Sequence, residues 1–266
     1  MSEPGRVFVG TAGWAVPAAA SAAFPHGGSS LERYAAIFGA AEINSTFHRQ
    51  HRAATYRRWR DTVPDDFRFA IKLPKAITHK QRLADCDALV CGFAEEIAPL
   101  GHCRGPTLVQ LPPSLAFDTD VAGRFFDVLA QALPGETVCE PRHPSWLEPA
   151  AEALLAERRV ARVAADPAIG GTGRYPGGWP GLAYFRLHGT PRPYWSDYDQ
   201  ETLARFASEA CAARDAGATC WVIFDNTAGG AAAGNALAFS AMMDRAMPSA
   251  PQAGGSASTD NGRKAL

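Results

Sequence analysis

The sequence predicts an α/β fold with a single (β/α)8 TIM-barrel-like domain. Short apolar or β-branched runs alternate with longer segments of helical periodicity, and eight such units in about 250 residues match this barrel. The first run is followed by Gly10-Thr11-Ala12-Gly13, which lacks the G-x-G-x-x-G turn typical of an open dinucleotide-binding sheet. An open, doubly wound sheet is therefore the second choice.

The elements follow from these patterns in chain order. The eight predicted strands are 7–9, 41–43, 67–73, 107–111, 137–140, 162–165, 183–187 and 220–224. The predicted helices are 31–38, 55–62, 87–98, 121–132, 149–157, 201–216 and 231–247. Between strands six and seven, residues 169–181 are rich in glycine and proline, which predicts an irregular crossover. We expect the barrel domain over residues 1–248 and a disordered, low-complexity C-terminal tail over 249–266.

Composition excludes several classes of protein. The 266 residues are 47% hydrophobic and 20% charged, enough to bury a core, so the bulk of the chain is not intrinsically disordered. With 26 basic and 27 acidic residues, the chain is not a strongly basic nucleic-acid binder. Neither a signal-peptide pattern nor a long apolar run is present, so we expect no membrane contact. The six cysteines form no C-x-x-C pair, and a chain this long with its own core does not need disulfides, so we expect reduced thiols in a cytoplasmic protein.

Polar residues follow the ends of the predicted strands. In a barrel of parallel strands, functional groups gather at the carboxyl ends. The candidate catalytic residues are Glu42, Lys72, Glu140, His188 and Asp225. The candidate substrate-binding residues are Thr11, Trp14, Asn44, His79, Gln110, Arg142, His143, Trp146, Arg186 and Asn226. Because buried charge is costly unless it is paired, such a gathering at one end of a barrel indicates a functional site.

Each of these residues also has an ordinary structural interpretation. Lys72 could be a surface lysine, the histidines could be hydrogen-bonded scaffold, and Glu140 and Arg142 could pair with each other. If Glu140 serves a ligand, we expect Glu140→Gln to leave the melting temperature nearly unchanged. If Glu140 belongs to a buried structural bridge, the same change costs about 3–5 kcal/mol.

Seven short motifs in order resemble those of one family. They are G-T-A-G-W at 10–14, E-I-N-S-T-F at 42–47, F-A-I-K at 69–72 with I-T-H at 77–79, L-V-Q-L-P-P at 108–113, E-P-R-H-P-S-W at 140–146, R-L-H-G at 186–189 and F-D-N at 224–226. The set resembles the YecE-like family, the seventy-second in the series of domains of unknown function, over nearly the whole chain. The resemblance implies a TIM-barrel-like fold and a polar pocket built by these motifs, and it implies no reaction.

Two positions depart from the family pattern. The tyrosine usual after the S-T-F segment is His48 here, and the asparagine pair on the last strand is Asp225-Asn226. The contributions of these two positions to the pocket therefore do not carry over from the family.

The residues are compatible with three functions. The first is an enzyme acting on a small or terminal anionic group, a phosphate, a carboxylate or a nucleic-acid end. Lys72, Arg142 and Arg186 would supply positive charge, and the carboxylates would supply acid–base chemistry. Hydrolysis and isomerisation both fit this function.

The second function is a metal-dependent hydrolase or isomerase with Glu42, Glu140, His188 and Asp225 as ligands. The neighbouring cations would compete for those carboxylates, and no H-x-H spacing marks a metal site, so no metal ligand is predicted. The third is a non-catalytic barrel that binds a ligand or a partner. The sequence does not identify a cofactor, a substrate or an oligomeric state.

Overall fold

A nearly closed barrel of parallel strands lies at the centre of the fold in the computed structural model, which describes residues 5–246. The strands are β1 (Val7–Ala12), β2 (Ala40–Ile43), β3 (Arg68–Lys72), β4 (Arg104–Gln110), β5 (Thr137–Glu140), β6 (Val160–Arg162), β7 (Ala164–Asp166), β8 (Gly177–Gly178), β9 (Leu182–Leu187) and β10 (Thr219–Phe224). They are hydrogen-bonded in the order β7-β9-β10-β1-β2-β3-β4-β5-β6-β8.

The barrel closes through one stretch of chain that pairs on both sides. β6 pairs with β5, and β7 pairs with β9. Val163 separates β6 from β7, and its amide still donates to the carbonyl of Cys139 at 2.9 Å. Residues 160–166 therefore act as a single strand, and the two-residue β8 lies antiparallel against it. The predicted (β/α)8 architecture is confirmed, and each predicted run overlaps an observed strand.

Among the residues that the structure describes, seven α-helices cover the barrel. They are α1 (Ser30–Ala35), α2 (Ala53–Thr62), α3 (Asp87–Ile97), α4 (Thr119–Ala132), α5 (Pro149–Glu157), α6 (Gln200–Asp215) and α7 (Ala231–Ala246). Helices α4 and α6 begin after Asp118 and Asp199, whose carboxylates accept main-chain hydrogen bonds at 2.9 and 2.8 Å. The predicted irregular crossover, 169–181, holds a short 3-10 turn and β8 in place of a helix.

Within residues 5–246, none of the helices has the length and apolar character needed to cross a bilayer. The predicted disordered tail, 249–266, lies outside the described residues.

Alternation along the strands divides the barrel interior into an apolar and a polar half. The inner core consists of Phe8, Ala40, Ala70, Leu108, Val138, Ala161, Val163, Ala165, Leu182, Tyr184, Trp221 and Ile223. Trp221 stacks on Phe8 at 4.7 Å and on Tyr184 at 6.1 Å between ring centroids. Side chains two residues apart share a face of a strand. The next inward positions toward the carboxyl ends are therefore Glu42, Lys72, Gln110, Glu140 and Arg186.

Close contact between β1 and β2 makes Gly10 a test of this architecture. A Cβ atom at Gly10 would lie 2.0 Å from the carbonyl oxygen of Ala40. We expect Gly10→Ala to lower the free energy of unfolding by about 1–3 kcal/mol or more, because the strand backbones must separate.

The matched control is Gly234→Ala in α7, where a Cβ would meet nothing within 4 Å. That change should raise the free energy of unfolding by about 1 kcal/mol, since alanine is the better helix former. Urea denaturation measures both variants. Wild-type stability of Gly10→Ala would contradict the close approach of β1 to β2.

Candidate functional site

A buried guanidinium organises the polar half of the barrel. Arg186 on β9 is 1% exposed. Its Nε lies 3.0 Å from both carboxylate oxygens of Glu42, and its Nη2 donates to Glu42 Oε1 at 2.7 Å. Its Nη1 donates to Glu140 Oε2 at 3.1 Å, and its Nη2 lies 2.9 Å from Asp225 Oδ2. One cation thus joins three carboxylates from β2, β5 and the end of β10.

His188 and Arg142 extend this network toward the mouth of the barrel. His188 Nε2 lies 2.8 Å from Glu140 Oε1, and its Nδ1 lies 3.0 Å from Asp225 Oδ2. Arg142 forms an ion pair with the same Oε1, and its Nη2 lies 2.6 Å from His188 Nε2. Both oxygens of Glu140 are therefore engaged by neighbouring side chains.

The network keeps its carboxylates ionised. Burial alone would raise the pKa of Glu140, but Arg142, Arg186 and His188 hold that pKa well below its usual range. Burial likewise opposes ionisation of Asp225, whose pKa Arg186 and His188 nevertheless lower. Because their charges and oxygens are already committed, these two carboxylates are poor general bases near neutral pH.

Tyr184, which is not among the residues predicted from the sequence, joins the charged network from the apolar half of the barrel. Its hydroxyl donates to Glu42 Oε2 at 2.8 Å. Burial, and then the charge of Glu42, raise the pKa of Tyr184 well above its ordinary value. The signal was present in the sequence, because Tyr184 lies two residues before Arg186 on the same face of β9.

Lys72 differs from the other charged residues of the cluster. It is 9% exposed and lies at the carboxyl end of β3. Within residues 5–246, no carboxylate oxygen lies within 4.0 Å of its Nζ, which instead lies 4.3 Å from the ring centroid of Phe47. Burial, and then the charge of Arg186, lower the pKa of Lys72 to about 8. This amine can therefore gain or lose a proton near neutral pH.

Two of the predicted substrate-binding residues lie at the edge of the cluster. Asn44 Oδ1 lies 3.5 Å from Arg186 Nη2. Gln110 ends β4 opposite Glu140 in the parallel pairing and is half-buried. Both side chains are half-buried at this edge.

Two predicted histidines occupy the surrounding loops. His79 packs edge-on against Phe47 at 4.9 Å, and its Nδ1 lies 2.8 Å from the Thr78 hydroxyl. Burial, and then the charge of Lys72, lower the pKa of His79. His143 Nδ1 accepts from the amide of Ser145 at 3.2 Å, which caps a short 3-10 turn.

The structure does not bring Thr11 and Trp14 to the cluster. The Thr11 amide and hydroxyl donate to Tyr34 Oη at 2.7 and 3.1 Å in the helix layer. Trp14 packs edge-on against Trp59 of α2 at 5.0 Å. Thr11 lies on the outer face of β1, opposite to the face that lines the barrel, which explains its distance from the charged residues.

Trp146 and Asn226 also have structural contacts. Trp146 is buried and donates its Nε1 proton to the carbonyl of Leu115 at 3.0 Å. Asn226 donates to Asn235 Oδ1 at 2.7 Å, which ties the end of β10 to α7. Their proximity to strand ends placed them among the candidates, but their side chains stabilise the surrounding loops.

The geometry defines a TIM-barrel-like protein with a charged cluster at the carboxyl ends of its strands. The chain belongs to the family described as "Protein of unknown function DUF72", whose model matches residues 8–257.

Relatives and solved structures agree with this assignment. UPF0759 protein YecE of Escherichia coli (strain K12) is 34% identical over 146 residues, 52% of this chain and 52% of that protein. The match thus spans about half the length of that curated relative. A DUF72 family protein from Thermotoga maritima MSB8 is 25% identical with a TM-score of 0.75, covering 90% of this chain and 99% of that one. A second, from Enterococcus faecalis V583, is 19% identical with a TM-score of 0.76, covering 90% and 95%.

The contacts of Glu140 favour the buried bridge over the ligand-serving interpretation. We expect Glu140→Gln to lower the free energy of unfolding by about 3–5 kcal/mol, because Arg186 loses one of its carboxylates inside the barrel. Asp61→Asn is the control, since its ion pair with Arg60 is solvent-exposed and worth under about 1 kcal/mol. Chemical denaturation compares the two. Equal, small effects would show that Glu140 is not part of the scaffold.

The low pKa of Lys72 has a consequence for stability. Protonating this amine costs the folded state more than the unfolded chain, so Lys72→Met should stabilise the protein by about 2 kcal/mol at pH 7. As pH rises from about 8 toward the ordinary lysine value of 10.5, the folded wild type loses its proton first and gains stability. The difference in the free energy of unfolding between Lys72→Met and wild type should therefore shrink as pH rises.

Denaturation curves for wild type, Lys72→Met and the exposed-site control Lys75→Met between pH 7 and 10 measure this effect. A constant difference between wild type and Lys72→Met over that range would contradict a depressed pKa. The Lys75→Met difference should show no comparable dependence on pH.

Proposed function

We propose that this protein is an enzyme that acts on a small or terminal anionic substrate, one bearing a phosphate or a carboxylate, by acid–base chemistry in the strand-end pocket. The observation that carries the proposal is Lys72, a buried amine without a carboxylate partner in the described chain, beside a network whose other charges are paired.

Unused hydrogen-bond donors support an anionic ligand. Arg142 Nε is buried without a partner in the described part of the chain. Over residues 5–246, Lys72 Nζ makes no hydrogen bond and lies over the Phe47 ring, and Asn44 and Gln110 lie at strand ends on the same edge. Buried donors are costly when unsatisfied, and a phosphate or carboxylate would supply the missing acceptors.

The roles divide between two groups of residues. Lys72 transfers protons, because its pKa of about 8 lies near the working pH. Arg142 binds the anion, and Arg186 with its carboxylates positions both side chains. The substrate is a small molecule or the end of a nucleic acid. The six free cysteines accord with a reducing, cytoplasmic setting.

The contacts disfavour the metal-dependent alternative. The oxygens of Glu42 and Glu140 are already bound by guanidinium groups. Among residues 5–246, no three His, Cys, Asp or Glu side chains are grouped so as to hold a metal ion. A non-catalytic binding barrel would not need Lys72 to transfer a proton. The shifted pKa of Lys72 therefore favours an enzyme over such a barrel.

Titration calorimetry with inorganic phosphate and with malonate tests the proposal. We expect Lys72→Gln and Arg142→Gln each to weaken binding at least tenfold, about 1.4 kcal/mol. Lys75→Gln is the matched control, an exposed lysine three residues further along the chain, and should bind like wild type. Binding should also weaken as pH rises through about 8, where Lys72 loses its charge. Unchanged affinity in Lys72→Gln would contradict the proposal.

A further inference from the structure

We propose that Lys72 is a nucleophile that forms an imine with a carbonyl group of the anionic substrate. This inference rests on the anion-binding site of the proposed function, assigns Lys72 covalent attack in place of proton transfer, and narrows the substrate class to aldehydes and ketones that carry a carboxylate or a phosphate.

Composition singles out this position. The chain contains 22 arginines and only four lysines, Lys72, Lys75, Lys80 and Lys264. Of the three that the structure describes, Lys75 and Lys80 are exposed and Lys72 is buried. An arginine would supply a cation for anion binding, but a guanidinium does not lose its proton in proteins. In a chain so rich in arginine, a buried lysine at a strand end points to chemistry that requires a free amine.

The surroundings of Lys72 keep its amine available. The Thr46 hydroxyl donates to the Lys72 carbonyl at 2.7 Å and anchors the turn Ser45–Phe47 on β3. Phe47 is thereby placed with its ring centroid 4.3 Å from Nζ. A ring face attracts the ammonium ion but takes no proton from it and makes no ion pair that would hold it protonated.

Charged groups around Lys72 act in both directions. Burial and Arg186 disfavour the ammonium form, whereas Glu42, Glu140 and Asp225 favour it, and the net effect lowers the pKa of Lys72 to about 8. His79, which packs edge-on against the same Phe47 ring, is the titratable ring of the loop after β3. A lysine desolvated beside other cationic groups is the usual form of an imine-forming nucleophile.

The step balances without a further reagent. The lone pair of neutral Lys72 Nζ forms a bond to the carbonyl carbon. One amine proton and one proton from solvent pass to the carbonyl oxygen, and the carbon–oxygen bond breaks to release water. The nitrogen keeps one hydrogen and the product is a protonated imine, which withdraws electrons from the neighbouring carbon. Arg142 holds the anionic group of the substrate beside this imine.

Reductive trapping on the full-length wild-type chain tests the inference. The protein is incubated at pH 8 with cyanoborohydride and either pyruvate, as the carboxylate probe, or glycolaldehyde phosphate, as the phosphate probe. Peptide mapping then locates secondary amines, each adding the mass of the probe less one oxygen atom. We expect at least tenfold more adduct on Lys72 than on Lys75 or Lys80, which serve as internal controls. Inorganic phosphate should suppress labelling of Lys72 alone.

The outcomes separate the two proposals. Equal labelling of all three lysines, or labelling of Lys75 and Lys80 alone, overturns the imine. If phosphate binds in a manner that depends on Lys72 but neither probe labels Lys72, the imine is wrong and the proposed function stands. If phosphate binding does not depend on Lys72 and no adduct forms there, both proposals fail. The labelling pattern is read within wild type, so the test of the imine does not depend on the folding of any Lys72 variant.

Discussion

The burial of Arg186 is the constraint on which the polar half of the barrel depends. A guanidinium removed from water is costly unless carboxylates and hydrogen bonds surround it. Glu42, Glu140 and Asp225 meet that need from three different strands, and those strands converge only when the sheet curls into a barrel. The ion network therefore cross-links the barrel near its mouth, and it leaves Lys72 as the charged side chain outside the pairing.

Most of the fold follows from periodicity. Every observed parallel strand overlaps a run that apolar patterning identified, because strands buried on both faces are rich in apolar residues, whereas the antiparallel two-residue β8 matches none. The division of residues 160–166 between two partners was not predictable. The pattern of a strand indicates which side chains are buried, but it does not say which neighbour each residue pairs with.

The candidate site was predictable in part. Glu42, Lys72, Glu140, His188 and Asp225 gather because closure brings strand ends together, whatever their spacing along the chain. Distance from a strand end does not tell which face a side chain occupies, and this explains why Thr11 and Trp146 lie in other layers. Whether Glu140 binds a ligand or forms a structural salt bridge depends on how many cations contact it. Those contacts are visible only in the three-dimensional structure.

The stack of Phe8, Trp221 and Tyr184 has a kinetic consequence. These rings fill the lower half of the barrel, so the charged cluster is approached from one end. For the proposed enzyme, a ligand would enter and depart by the same route, and a product that had not yet left would block the next substrate. Such a blind-ended site would suit compact molecules or chain termini, and release of the product would be a natural point at which turnover is limited.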